Sequence, residues 1–187
     1  MSEVEHVVVM GVSGTGKTTI GRLLAGRLGS EFVEGDDLHP AANVAQMRAG
    51  VPLTDAERLP WLRAVRDAMS AAAAEGRSTV VACSALRRTY RDVLRTADGR
   101  VRFVHLVVPP AELEHRMAHR AGHFMPVSLL ASQLATLEPL GADEDGADVP
   151  VGGRPAATVR AVLSALGAPD GLEGPDGPDG PDGTTSG

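Results

Sequence analysis

The chain has 187 residues, of which 43% are hydrophobic and 3% aromatic, with a formal net charge of -6 at pH 7; this composition suits one domain with a buried core. Five acidic residues lie in the last 20 positions, which hold no Lys or Arg, so the near-neutral remainder excludes charge-driven binding to nucleic acid or a membrane. We expect a cytoplasmic protein, because Cys83 is the single cysteine, no signal peptide precedes the first strand, and no apolar run reaches the roughly 18 residues of a membrane-spanning helix.

Short β-branched runs alternate along the chain with longer helical patterns. The patterns predict strands over 6–10, 31–34, 79–83, 101–108 and 147–151, and helices over 17–28, 41–49, 55–75, 85–96, 110–121, 126–137 and 155–166. Strands that are apolar on both faces and separated by helices indicate an α/β fold, with a parallel five-stranded sheet covered by helices on both faces. Functional residues should then lie in the turns at the carboxyl ends of the strands.

The first of these turns has the sequence GVSGTGKTT, in which Gly11, Gly16, Lys17 and Thr18 fit the phosphate-loop pattern G-x-x-x-x-G-K-[ST]. Glycines allow the backbone amides to turn toward one anion, and the N-terminus of the following helix favours the same anion. The pattern predicts a nucleotide triphosphate site, the alternative being a glycine turn that matches by chance. The residues expected to bind the nucleotide are Gly11, Ser13, Gly14, Thr15, Gly16, Lys17, Thr18 and Thr19.

The second turn places three carboxylates, Glu34, Asp36 and Asp37, within four residues and opposite the phosphate loop. A phosphotransferase needs a carboxylate to deprotonate the attacking hydroxyl and to hold the water shell of Mg²⁺. Residues alternate faces along a strand, so we predict that Asp36 faces the crevice and acts as the base, and that Thr18 and Asp36 hold the metal. The alternative is a solvated acidic turn that caps the next helix.

The third strand ends in VVACSAL, without the Asp that many phosphate-loop enzymes use to help hold Mg²⁺. This absence argues against motors, transporters and GTP switches, and favours a kinase that acts on a small metabolite. The adenine ring is predicted to lie near residues 151–157, after the last strand.

Four stretches, GVSGTGKTT, EGDDLHPAANVAQMRAGVPLTDAERLPWL, CSALRRTYRDVLR and HRAGHFMPVSLLASQLATLE, resemble the gluconokinase family of small phosphate-loop kinases over roughly residues 6–166. The resemblance implies ATP-dependent phosphorylation of D-gluconate to 6-phosphogluconate with Mg²⁺, commonly by a homodimer. It also implies a three-layer P-loop NTPase fold similar to adenylate and shikimate kinases, with the kinase domain over 1–167 and a lid at about 116–137. Residues 168–187 lie outside the resemblance and have almost no apolar side chains, so they are expected to form a disordered acidic Gly-Pro-Asp tail, the alternative being a peptide ligand for a partner. The alternatives are another small-metabolite kinase, such as shikimate kinase, and a nucleotide-binding regulator without turnover.

An open-chain sugar acid needs a cation for its carboxylate and hydrogen-bonding groups for its hydroxyls. Arg58 and Arg88 offer the planar guanidinium that matches a carboxylate, while His39 and Ser84 suit hydroxyls. The residues expected to bind the substrate are Asp36, His39, Arg58, Ser84, Arg88 and His123.

Four other residues receive structural interpretations. Arg87 and Arg91 are expected to be solvated helix charges paired with nearby carboxylates. Trp61 invites a stacking role but is more typical of a packing anchor. Cys83 ends an apolar strand and is expected to behave as a small buried hydrophobe.

The stretch ELEHRMAHRAGHFM carries two patterns at helical spacing. Arg116 and Arg120 lie four apart at the edge of the lid that the family resemblance implies, where they are expected to bind ATP and neutralise charge on the moving phosphoryl group. His115, His119 and His123 have the same spacing and offer a metal site as the alternative. The expected catalytic residues are Lys17, Asp36 and Arg120.

Overall fold

A computed structural model of the chain describes residues 3–118 and 128–168. Its five strands are all parallel and lie in the order β2-β3-β1-β4-β5. The strands are β1 (Glu5–Met10), β2 (Glu31–Glu34), β3 (Thr79–Ala82), β4 (Arg100–Val107) and β5 (Gly146–Pro150). The helices are α1 (Lys17–Leu28), α2 (Ala41–Arg48), α3 (Asp55–Ala74), α4 (Arg88–Leu94), α5 (Pro110–Ala118), α6 (Ser128–Thr136) and α7 (Pro155–Leu166). Within these described ranges, no helix is both long enough and apolar enough to cross a membrane.

The central strand β1 contributes to two separate hydrophobic cores, one on each face of the sheet. Val8 and Met10 pack in the cluster that contains buried side chains of α3 and α4. Val7 and Val9 pack in the second cluster, with buried side chains of α1 and α7. Because residues alternate faces along a strand, this arrangement gives three layers, helices, sheet and helices, and it confirms the predicted α/β fold.

Helix α3, which carries two residues of the site described below, has a well-defined start. Thr54 precedes it, and the Thr54 hydroxyl accepts a hydrogen bond from the Glu57 amide at 3.3 Å. The Glu57 carboxylate in turn accepts from the Thr54 amide at 2.7 Å, which completes a capping box. This cap fixes where the first turn of α3 begins relative to the preceding loop.

Two regions differ from the predicted elements. The helix predicted over 85–96 begins only at Arg88, because Ala85 has a φ of 45° and this left-handed conformation is incompatible with an α-helix. A short 3₁₀-helix, Gly35–Leu38, which the sequence patterns did not predict, follows β2. Parts of the two helices predicted around the lid, and the tail from residue 169, lie outside the described residues.

Arg91 is fully buried, so the expectation of a solvated helix charge is wrong. Its guanidinium donates to both carboxylate oxygens of Glu144, at 2.7 and 2.9 Å. It also donates to the carbonyl oxygens of Ala85, Leu86, Glu138 and Pro139 at 3.1 to 3.3 Å. Arg91 can be buried because these acceptors satisfy its donors, and it ties the loop after β3 to the loop before β5.

Replacing Arg91 with Leu is expected to lower the free energy of unfolding by about 3–5 kcal/mol, because the Glu144 carboxylate is left buried without its partner. Urea unfolding measures this loss. The control is Arg87→Leu, which removes an exposed ion pair with Asp55 and should cost less than about 1 kcal/mol. Equal losses in the two variants would contradict the importance of the buried pair.

Candidate active site

The phosphate loop connects the end of β1 to the first residue of α1. Gly11, Gly14 and Gly16 have φ angles of 142°, 87° and 92°, conformations that side chains rarely adopt, so the loop requires glycine at these positions. The ammonium of Lys17, the only lysine of the chain, donates to the Val12 carbonyl oxygen at 3.0 Å. Gly14, Gly16 and Lys17 line one cavity at this loop, where backbone amides and the amine are suited to binding an anion.

Two of the larger cavities in the described part of the chain border this loop. The first, which we call the Thr19 cavity, has a volume of about 550 Å³ and lies between the phosphate loop, α5 and the turn from β5 to α7. It borders the segment predicted to hold the adenine, and Arg116, which is ion-paired with Glu112, faces it. Its lining residues are Thr15, Gly16, Thr19, Ile20, Arg116, Val151, Gly153, Pro155 and Thr158.

The second, which we call the Asp36 cleft, has a volume of about 470 Å³. It brings together residues from the phosphate loop, the turn after β2, α3, the turn after β3 and α6. Its lining residues are Ser13, Lys17, Asp36, His39, Met47, Pro52, Leu53, Arg58, Ser84, Leu129, Ser132 and Gln133.

The 3₁₀-helix that carries Asp36 is fixed from two sides. A Cβ atom on Gly35 would lie 2.3 Å from the Ala82 carbonyl oxygen, so only glycine allows the turn to approach β3 this closely. On the other side, the Trp61 indole N–H donates to the Gly35 carbonyl oxygen at 2.7 Å. Trp61 is buried, which confirms the expected packing anchor.

Replacing Gly35 with Ala is expected to cost about 1–3 kcal/mol of stability, because the added methyl group displaces the turn from β3. Turnover should fall as well, since Asp36 moves with the turn. Thermal unfolding and steady-state kinetics measure the two effects. In the control Gly26→Ala the new Cβ atom meets nothing within 4 Å in the exposed part of α1, so this variant should be slightly more stable than wild type. A Gly35→Ala variant as stable and active as wild type would contradict the close fit.

Glu34 was predicted only as one of three carboxylates in the acidic turn, and the structure gives it a specific partner. The Thr18 hydroxyl donates to the Glu34 carboxylate at 2.6 Å. Glu34 and Asp36 line a common cavity with Lys17 and Thr18. This set of hydroxyl and carboxylate oxygens matches the ligands that Mg²⁺ prefers.

His39 lies at the cleft between an aromatic ring and a guanidinium. Its imidazole stacks on Trp61, with ring centroids 4.0 Å apart and an interplanar angle of 12°. Burial and the nearby Arg58 charge lower the pKa of His39 to about 4, so the ring is neutral at pH 7. Its Nδ1 atom is buried and has no hydrogen-bond partner within residues 3–118 and 128–168.

Arg58 lines the cleft from the first turns of α3. Its Nε donates to the Leu53 carbonyl oxygen at 3.3 Å, and its guanidinium lies 5.6 Å from the centroid of the Tyr90 ring. The Tyr90 hydroxyl donates to Asp55, so a hydrogen-bonded aromatic ring supports the guanidinium.

Arg88 does not reach the cleft, although it was expected to bind the substrate. Its guanidinium makes a two-pronged ion pair with Asp143 at 2.7 and 2.8 Å, and its backbone amide donates to Glu138. The hydrogen bond to Asp143 raises the pKa of Arg88 above its usual value. Two other expected residues, Arg120 and His123, lie outside the described part of the chain, as does His119.

Gln133 is a residue of the cleft that the sequence reasoning missed. Its side-chain oxygen accepts a hydrogen bond from the Ser13 amide at 2.7 Å, so α6 contacts the phosphate loop directly. Leu129, one turn earlier on α6, packs in a small cluster with Met47 and Leu53. Only the family resemblance pointed to this stretch, because a glutamine in a helix carries no signal of its own.

Cys83 lies beneath the cleft at the end of β3. Burial, together with the nearby charges of Asp36 and Glu34, raises the pKa of its thiol to about 12. The thiol is fully buried and protonated, which confirms that Cys83 behaves as a buried hydrophobe.

A glycine-rich anion loop after the central strand of this parallel sheet, beside a cleft that holds a carboxylate and a guanidinium, defines a P-loop kinase. Consistently, a family model described as "AAA domain" matches residues 7–140. A shikimate kinase from Aquifex aeolicus shares the fold, with 16% sequence identity and a TM-score of 0.57. The match covers 87% of this chain and 96% of the shikimate kinase chain. The predicted fold class is confirmed.

Closer similarities identify the family. A gluconokinase from Gluconobacter oxydans is 55% identical over 138 residues, which cover 74% of this chain and 78% of that protein. The crystal structure of a gluconokinase from Sinorhizobium meliloti is 43% identical with a TM-score of 0.78, covering 89% of this chain and 94% of its own. The chain belongs to the gluconokinase family.

Proposed function

We propose that the protein transfers the terminal phosphoryl group of ATP to the 6-hydroxyl of D-gluconate. The observation that carries this proposal is that Lys17, Asp36 and Arg58 line one cleft. An amine for the phosphates, a carboxylate for the hydroxyl proton and a guanidinium for the acid group are the groups that this reaction needs. Membership in the gluconokinase family supports the same substrate. The shikimate kinase alternative is not favoured, because that likeness extends only to the fold.

Each residue then has a defined task. The loop amides and Lys17 hold the phosphates, and Arg58 binds the carboxylate of the acceptor at the other end of the Asp36 cleft. Asp36 takes the proton of the 6-hydroxyl. The hydroxyl oxygen forms a bond to the γ-phosphorus while the bond between this phosphorus and the ADP oxygen breaks. His39 and Ser84 bind other hydroxyls of the acceptor.

The residues also fit Mg²⁺, because Thr18 and two carboxylates supply oxygen atoms on the same side of Lys17. In this proposal Thr18 and Asp36 hold the ion, and Glu34 orients the Thr18 hydroxyl through its hydrogen bond. When bound, the ion neutralises charge on the phosphates.

Several further expectations remain proposals. Arg116, at the Thr19 cavity, and Arg120 bind ATP, and Arg120 stabilises the transferred group; His123 contacts the acceptor. The kinase domain spans residues 1–167 with a lid at about 116–137, followed by the tail over 168–187. The enzyme acts as a cytoplasmic homodimer without a nucleic-acid or membrane partner.

The test couples ADP release to three acceptors. Gluconate is expected to be phosphorylated, whereas glucose lacks the carboxylate and shikimate has a ring that cannot reach both Arg58 and Asp36. A fourth acceptor, the neutral amide of gluconic acid, keeps every hydroxyl and removes only the charge that Arg58 binds. Equal rates with glucose or shikimate would overturn the gluconate assignment, and equal rates with the amide would remove Arg58 from the carboxylate site.

A further inference from the structure

Trp61 is the only tryptophan of the chain and does not itself line the Asp36 cleft, yet it stacks on His39, which does, and donates a hydrogen bond to Gly35, the residue before Asp36. It is 1% exposed, in the core cluster between the sheet and α3. The proposed reaction assigns it no role.

The first contact fixes the turn that carries the proposed base. The Trp61 N–H donates to the Gly35 carbonyl oxygen at 2.7 Å, and Asp36 is the next residue. Since Gly35 also lies against the Ala82 carbonyl oxygen, the turn has β3 on one side and the indole on the other. Loss of the indole N–H would remove this hydrogen bond from the buried Gly35 carbonyl and free the turn to shift.

The second contact fixes His39. The two rings are stacked at 4.0 Å and 12°, so the indole sets the plane of the imidazole. This orientation matters because the buried Nδ1 of His39 has no hydrogen-bond partner in the described ranges. A ring held in this way offers each of its nitrogen atoms to an acceptor hydroxyl within one fixed plane.

Arg58 is related to the same side chain through helix geometry. It lies three residues before Trp61 on α3, and residues at this spacing are neighbours on one helix face. The three groups proposed to handle the acceptor, Asp36, His39 and Arg58, are therefore all placed relative to one indole.

We propose that Trp61 is the positioning residue for the acceptor half of the site, one that aligns the base through Gly35 and a hydroxyl contact through His39. This proposal rests on the proposed gluconate kinase activity. The role is specific to the acceptor half of the reaction, because neither the Gly35 hydrogen bond nor the His39 stack of Trp61 involves the phosphate loop or the Thr19 cavity.

Two variants test the two contacts separately. Trp61→Phe keeps a ring against His39 but loses the N–H, so kcat should fall by about 10- to 100-fold, the effect of misplacing a reacting group by about 1 Å. Trp61→Leu also loses the stack, so the KM for gluconate should rise by a further factor of about 2 to 10. The KM for ATP should stay within about twofold of wild type in both.

The control is Leu62→Ala, which removes a 1% exposed neighbour in the same core cluster and keeps both the Gly35 hydrogen bond and the His39 stack of Trp61. It should lower the melting temperature at least as much as Trp61→Phe while leaving kcat and the KM for gluconate unchanged in assays below the melting temperature. A purely structural role of Trp61 would make all three variants alike.

Fluorescence of the wild-type enzyme gives a readout independent of turnover. With a non-hydrolysable ATP analogue bound, gluconate should change the emission of the single tryptophan and glucose should not. The proposal is overturned if wild type phosphorylates gluconate without a change in emission, or if both Trp61 variants keep wild-type kcat and KM. Absence of gluconate turnover in the wild type would instead overturn the proposed function.

Discussion

Turnover of gluconate will fall by about 10²- to 10⁴-fold when Asp36 is replaced with Asn, the range that a general base contributes. The substitution keeps the size and hydrogen bonding of the side chain but removes its basicity and its negative charge. Asp36 is half-buried and lines the cleft together with Lys17, and among the residues that the structure describes it is the one carboxylate that does so. Binding of ATP should weaken only modestly, through the altered shell of Mg²⁺. Steady-state kinetics with gluconate, and nucleotide titration, separate these effects.

The matched control is Asp37→Asn, the same change of charge one residue further along the 3₁₀-helix. Asp37 is exposed and does not line the cleft, so this variant should retain wild-type turnover. If Asp36→Asn remains within about threefold of wild type, the base is another carboxylate of the turn, and Glu34, hydrogen-bonded to Thr18, becomes the first to examine.

Replacing Lys17 with Ala will lower phosphoryl transfer by at least about 10²- to 10³-fold, the loss typical of removing one preorganised donor from a developing anion. The ammonium contacts the Val12 carbonyl within the loop and belongs to neither hydrophobic core. The melting temperature should therefore barely change. Turnover and thermal unfolding of the same preparation test both statements.

Arg27→Ala provides the control for the loss of one positive charge on the same helix. Arg27 is exposed near the end of α1 and lines neither the Thr19 cavity nor the Asp36 cleft. Its removal should leave turnover unchanged. Near wild-type turnover of Lys17→Ala would show that the loop does not act on the phosphates through this residue.

The strands could be predicted closely because their signals are local. The central strands β1 and β3 each read as a short apolar run between breakers, and the part of a sheet that is buried on both faces needs such runs. The phosphate loop could be predicted equally well, because Gly11, Gly14 and Gly16 adopt positive φ angles that favour glycine. The positions of Asp36 and Ser84 at one crevice followed from the parallel arrangement of the strands.

The sequence could not assign residues whose role depends on a distant partner. Arg88 and Arg91 are both arginines of one short helix, yet Arg88 pairs with Asp143 at the surface and Arg91 with Glu144 in the interior. The spacing along α4 does not show which of the two faces the core, and the partners lie more than 50 residues away. Gln133 was missed for the same reason, since the amide it contacts belongs to the phosphate loop.

Because Lys17 is the only lysine of the chain, all other cationic side chains that keep their charge at neutral pH are guanidinium groups. Reagents selective for amines therefore meet one side chain, the one at the phosphate loop, besides the α-amino group. Its chemical labelling reports occupancy of the loop directly: a bound nucleotide should protect Lys17, and the mass of a single peptide should record the protection. The enzyme thus carries a natural one-site probe, with no engineered tag or substitution, for measuring nucleotide binding apart from turnover.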